Sequence, residues 1–265
     1  MALLHVEFFS EVLQMCMGMD VILPQRTRGM IGVESKKTDD KYKTVYLLHG
    51  LSDNQTIWQR RTSIERYAGE YGIAVVMPTT HRAFYTDTTY GLKYWTFISK
   101  ELPQICREFF PQMSDKKEDT LAAGLSMGGY GAWKLGLGAS ETFGAAASLS
   151  GVLDSVSRYD ACIKEGSLMS VNEMTGIFGT RDDLKGSVND LHFLLKENVE
   201  KKIELPRLYA WCGTEDFLYE DNKRTWKLTK ELGYDFTCEE SEGGHEWQRW
   251  DVKIQDAIRW WLKEK

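Results

Sequence analysis

Residues 119–138, DTLAAGLSMGGYGAWKLGLG, limit the folds open to this chain more than any other stretch. Small and apolar residues lead into Gly124-Leu125-Ser126-Met127-Gly128, and Tyr130, Ala132, Trp133, Leu135 and Leu137 follow. A buried strand that runs straight into a helix must turn sharply at its junction. If that junction is Ser126, its backbone is strained and the residues two places to either side are pressed together. Glycine at 124 and 128 removes the Cβ atoms that would clash. Such a turn lifts the serine above the carboxyl edge of a sheet, where ligands bind in open α/β folds. The competing reading is a glycine-rich helix start with Ser126 as a simple N-cap.

The rest of the chain repeats the same strand-then-helix rhythm. Two strand-like runs, His5–Ser10 and Gln14–Leu23, suit a hairpin, and residues 34–42 read as a polar turn. Short buried strands are expected at 43–48, 73–77, 119–125, 143–149, 207–211 and 235–239. Helices are expected at 58–71, 92–109 with a bend at Pro103, 127–137, 219–232 and 246–262. Residues 152–205 lack a buried strand and read as an excursion of short helices. The pattern predicts an α/β fold: a mainly parallel sheet with helices on both faces. At 265 residues the chain is expected to form one domain, residues 1–265, with a small helical cap insertion at about 152–205.

The 33 basic and 39 acidic residues leave a net charge of -6, which argues against nucleic acid or an anionic membrane as partner. No apolar run approaches the roughly 18 residues of a membrane span. The first residues, MALLHVEFFSEVLQ, have neither the basic nor the long apolar region of a signal peptide. Cys16, Cys106, Cys162, Cys212 and Cys238 are scattered without a CxxC pair, as in reduced cytoplasmic proteins. No His/Cys cluster has metal-ligand spacing, so no metal is expected. Homo-oligomer formation is left open.

A serine hydroxyl needs a base to remove its proton and a carboxylate to orient that base. In a strand–serine–helix architecture the acid and histidine follow the serine along the chain. Only His192 and His245 do so. His192 lies in a helical pattern, DLHFLLKE. His245 lies in a loop, SEGGHEWQRW, whose glycines let it reach inward, and it is the preferred base. The acid should follow a late strand. Asp216 in WCGTEDFL is preferred, with Asp154 second; the competing reading is an acid at a helix N-terminus favoured by the dipole, a part that Glu215 or Asp221 could fill. Two backbone N–H groups must hold the developing oxyanion: Met127, directly after the serine, and Leu51 in HGLSDN after the first parallel strand. His49 is read as shaping that loop by hydrogen bonding. Among the aromatic residues, Trp58, Tyr85, Trp95 and Trp247 are candidate substrate contacts at the cleft rim, while Trp133, Trp250, Trp260 and Trp261 suit the core. The Met127 side chain is a further candidate for the acyl pocket.

Taken together, YLLHGLSDN, GLSMGGYGAWKLGL, WCGTEDFL and GGHEWQRWD resemble the "putative esterase" (esterase D-like) family of α/β hydrolases, above all the bacterial tributyrin and acetyl esterases. The resemblance spans nearly the whole chain. It implies an α/β-hydrolase fold, no cofactor, a small-molecule ester substrate and hydrolysis of short-chain acyl esters through an acyl-enzyme. Ser126 would be its nucleophile, Asp216 its acid, His245 its base, and Leu51 and Met127 its oxyanion donors. HGLSDN departs from the SGL-type run of S-formylglutathione hydrolases, which lowers the thioesterase reading. Feruloyl or acetylxylan esterase activity, and an inactive hydrolase fold used as a binding module, are the remaining alternatives.

Overall fold

The computed structural model describes residues 1–25, 41–162 and 168–263. Eight strands form one sheet in the order β1-β2-β4-β3-β5-β6-β7-β8. They are β1 (Ala2–Ser10), β2 (Met15–Leu23), β3 (Thr44–Leu48), β4 (Ala74–Pro78), β5 (Thr120–Leu125), β6 (Ala145–Leu149), β7 (Arg207–Gly213) and β8 (Phe236–Ser241). The β1–β2 hairpin and the β2–β4 pair are antiparallel, and every other pair is parallel. All residues of β3, β4, β5 and β6 are buried. Strands covered on both faces have no solvent side, so their sequences are continuous runs such as TLAAGL rather than alternating ones.

Helices α1 (Ile57–Arg61) and α2 (Ile64–Tyr71) join β3 to β4. Between β4 and β5 lie α3 (Tyr94–Thr96), a π-helical turn (Phe97–Glu101) and α4 (Leu102–Phe109). Helix α5 (Met127–Gly138) joins β5 to β6. Between β6 and β7 come α6 (Ser155–Cys162), α7 (Val171–Phe178), α8 (Arg181–Leu184) and α9 (Leu191–Glu200). Helix α10 (Tyr219–Glu231) joins β7 to β8, and α11 (Trp247–Leu262) closes the fold. One sheet face packs Tyr46, Leu48 and Ala122 under Tyr130, Trp133 and Leu135 of α5. The opposite face packs Val45, Leu47 and Leu121 under Tyr67 of α2 and Trp250, Ile254 and Ile258 of α11.

Two expected helices are built differently. The run expected at 58–71 is broken at Thr62, which is extended (φ -136°, ψ 171°). Its hydroxyl donates to the Trp58 carbonyl at 2.5 Å and accepts from the Ile64 N–H, competing with the helical bonds. Gly72 ends α2 in the left-handed region, where a residue without a Cβ is unstrained. The helix expected from residue 92 starts at Tyr94, and instead of a simple bend it widens into the π turn just before Pro103. A proline ring collides with the carbonyl four residues back, here that of Ser99, and the wider turn makes room for it. Of the polar turn expected at 34–42, residues 34–40 lie outside the described residues.

Register fixes where the functional loops emerge. Leu48 pairs with Gly124, Leu125 with Leu149, Leu149 with Trp211, and Gly213 with Ser241. The segments beginning at His49, Ser126, Ser150, Thr214 and Glu242 therefore leave the same carboxyl edge of the sheet.

Candidate active site

Ser126 joins β5 to α5 with φ 54° and ψ -118°, a conformation that L-residues avoid. Three backbone bonds hold it there. Its N–H donates to Leu149 O, and its carbonyl accepts from the N–H groups of Tyr130 and Val152. The flanking glycines are required by contact. A Cβ on Gly124 would sit 2.5 Å from the Gly128 carbonyl oxygen and 2.9 Å from Leu48 Cβ. A Cβ on Gly128 would press into the Leu48 and His49 carbonyls. The end of β3 is thus packed directly against the turn that carries the serine.

His245 and Asp216 are brought together: His245 Nδ1 donates to Asp216 Oδ2 at 2.8 Å. The Asp216 side chain is completely buried, and its Oδ1 accepts from the Leu218 N–H at 2.9 Å. The imidazole is gripped by rings, with Phe217 at 4.7 Å between centroids and Trp250 at 4.8 Å edge-on. Trp250 Nε1 in turn donates to Ser150 Oγ, on the segment next to Ser126. With Nδ1 occupied, Nε2 is the nitrogen free to take a proton. No Ser126–His245 hydrogen bond is formed in this state; such contacts are often long in free enzymes and close on substrate.

The competing acids have other work. Glu215 holds the histidine loop, accepting from the Gly243 N–H and, at 2.7 Å, from the Thr214 hydroxyl. The Gly243 contact, followed by that of Thr214, holds its carboxyl below the ordinary range. Asp154 caps α6 through the Ser157 N–H and pairs with Arg224. Asp221 pairs with Arg158 and Arg224. His192 Nε2 shares a hydrogen bond with Thr225 Oγ1, tying α9 to α10. His49 is 1 % exposed, and burial pushes its pKa down to about 4. It is a neutral ring inside the fold.

The two expected oxyanion donors are unengaged: neither the Leu51 nor the Met127 N–H donates to an acceptor among the described residues. Met127 is the first residue of α5, where an N–H has no partner within the helix. Its side chain is core. Three of the four aromatic candidates for the rim require correction. Trp58 is buried and donates from Nε1 to Leu48 O at 3.0 Å. Tyr85 is wholly enclosed, its hydroxyl on His49 O and its ring filling the space left by Gly131. Trp95 packs on Gly138, roughly 18 Å along α5 from Ser126 at 1.5 Å per residue. Of the four, Trp247 alone is half-buried near His245, edge-on to Trp250 and Trp58. Phe217, 54 % exposed against His245, is the contact that the sequence reading missed. Its position directly after Asp216 was the available signal.

The "Putative esterase" family profile matches residues 10–261. The chain belongs to this family. The esterase is 31 % identical to an acetyl esterase of Caldicellulosiruptor saccharolyticus over 271 residues, 99 % of each protein. It superposes with a TM-score of 0.86 on FphF, a fluorophosphonate-binding serine hydrolase of Staphylococcus aureus, at 33 % identity over 98 % of both chains. The S-formylglutathione hydrolase FrmB of Staphylococcus aureus matches with a TM-score of 0.83, also at 33 % identity and 98 % of both chains. The esterase has the α/β-hydrolase fold and is a serine hydrolase of carboxylic esters. Among its described residues no helix is long and apolar enough to cross a membrane, and no three His, Cys, Asp or Glu side chains group as metal ligands.

Proposed function

We propose that Ser126, His245 and Asp216 form the catalytic triad of a carboxylesterase preferring short acyl chains. The observation that carries this reading is the buried Asp216–His245 pair at the same sheet edge as the strained serine. Asp216 fixes the Nδ1–H tautomer and leaves Nε2 as the base. His245 removes the Ser126 proton as the serine oxygen attacks the ester carbonyl, and the Leu51 and Met127 N–H groups hold the resulting negative oxygen. His245 then protonates the departing alcohol. Water repeats the sequence on the acyl-enzyme and releases the acid. The helices of 152–205 serve as a cap on this single domain, and their loops shape the acyl and leaving-group contacts. Five free thiols, one of them on exposed Cys16, suit a reducing cytoplasm.

The acetyl-ester preference rests on the 31 % relative. A second reading, thioester hydrolysis, is favoured by the equal likeness to FrmB. Ser126→Ala and His245→Ala should each lower kcat by several powers of ten with the fold intact, and Ser126→Ala should abolish fluorophosphonate labelling. Full activity in either variant rules out the triad. Rates on p-nitrophenyl acetate, butyrate and octanoate, methyl ferulate, acetylated xylan and S-formylglutathione decide the substrate class. A maximum at two to four acyl carbons is expected; a higher kcat/KM on the thioester replaces the reading with the second one.

A further inference from the structure

Three consecutive carbonyls at the end of β3 are each held by a buried side-chain donor. Trp58 Nε1 donates to Leu48 O at 3.0 Å, and Tyr85 Oη to His49 O at 2.8 Å. His49 Nδ1 lies 2.7 Å from Gly50 O. The other ring nitrogen settles the tautomer: the Thr80 N–H donates to His49 Nε2 at 3.1 Å, so Nε2 is the acceptor and Nδ1 carries the hydrogen. Gly50 O also accepts from the Asp53 N–H at 3.2 Å.

The Gly50 carbonyl and the Leu51 N–H belong to one planar peptide and point in opposite directions. Fixing the carbonyl therefore aims the N–H. Gly50 lies beside the nucleophile: a Cβ placed on it would be 3.9 Å from Ser126 Cβ. We infer that His49 is a positioning residue for the reaction, its Nδ1–H locking the Gly50–Leu51 peptide so that the Leu51 N–H faces the oxyanion. The inference rests on the oxyanion role proposed above for Leu51. His49 touches no reacting atom and transfers no proton. Trp58 and Tyr85, from the cores on opposite faces of the sheet, complete the clamp, which gives these two aromatic residues a function other than substrate contact.

The test separates the donor from the ring. His49→Asn places an amide N–H near the Nδ1 position and keeps a donor for Gly50 O. His49→Gln offers Thr80 an acceptor and gives up that donor, and His49→Phe gives up both. Loss of one oxyanion donor lowers kcat about 10²–10³-fold. On p-nitrophenyl acetate, folded His49→Phe and His49→Gln should lose at least about ten-fold in kcat, with KM within about two-fold. His49→Asn should recover most of the loss, and fluorophosphonate labelling rates should follow the same order. A folded His49→Gln with wild-type kcat, or His49→Asn no better than His49→Gln, overturns the inference. Nitrogen-15 NMR of the wild-type imidazole gives a test that needs no variant: an Nε2–H tautomer at neutral pH also overturns it. Ser126→Ala keeps the two proposals apart. If it stays active the triad fails, whereas an inactive Ser126→Ala with unaffected His49 variants removes only the role of His49.

Discussion

At the residue scale, the sharpest constraints come from atoms the side chains lack. Gly128 has backbone carbonyls where a methyl group would stand, and backbone cannot move aside as a flexible side chain can. Gly128→Ala should lose at least about 2 kcal/mol in urea denaturation, the scale of overpacking in a tight core. Gly244→Ala is its control. Nothing lies within 4 Å of that Cβ, so stability should stay within about 0.5 kcal/mol. His49 adds a pH dependence. Its folded pKa of about 4 lies below the ordinary 6.5, so between those values the unfolded chain binds a proton that the folded chain refuses. The stability that neutral His49 confers is complete above pH 6.5 and is lost as the pH falls toward 4, by at most about 3–4 kcal/mol at 1.4 kcal/mol per pKa unit. The wild type should therefore lose stability against His49→Asn across that window in pH-dependent denaturation, and parallel curves would refute the assignment.

At the element scale, the helices between β6 and β7 are tied to α5 through Asn189. Its carbonyl accepts from the hydroxyls of Tyr130 and Ser155, and its side-chain oxygen accepts from Lys134 Nζ at 2.6 Å. Lys134 is buried on α5, with Tyr85 O and Thr86 Oγ1 as its other acceptors. Removing one partner of a buried cation costs about 1.5–3 kcal/mol. Asn189→Ala should lower the denaturation midpoint accordingly and speed proteolysis within residues 155–200; unchanged cleavage would show that α9 packing alone holds the segment. None of this was legible in the sequence. DLKGSVNDL reads only as part of an excursion of short helices, and Asn189 gains its role only when α5 presents a buried ammonium to it.

At the scale of the whole molecule, what could be read in advance was what depends on neighbours in the chain. Fully buried strands are unbroken apolar runs, and GLSMG between a strand and a helix already contains the steric reason for its glycines. The order of Ser126, Asp216 and His245 then followed from the order of strands, since each residue leaves the carboxyl edge of a parallel strand. Features set by distant contacts were hidden. Trp58 and Tyr85 are candidate rim contacts by sequence, and only packing reveals that they face inward and hold carbonyls. The break at Thr62 depends on one hydroxyl, and the π turn on a collision between Pro103 and the turn before it.

One close approach also bears on how this enzyme could change its substrates over generations. A Cβ on Gly213 would strike the Gly243 carbonyl, so the loops bearing acid and base cross with no space between their backbones. That crossing admits no insertion and no bulkier residue without parting Asp216 from His245. Changes at this crossing are therefore expected to disturb the proposed acid–base pair whatever the ester, and none is expected to widen the choice of substrate.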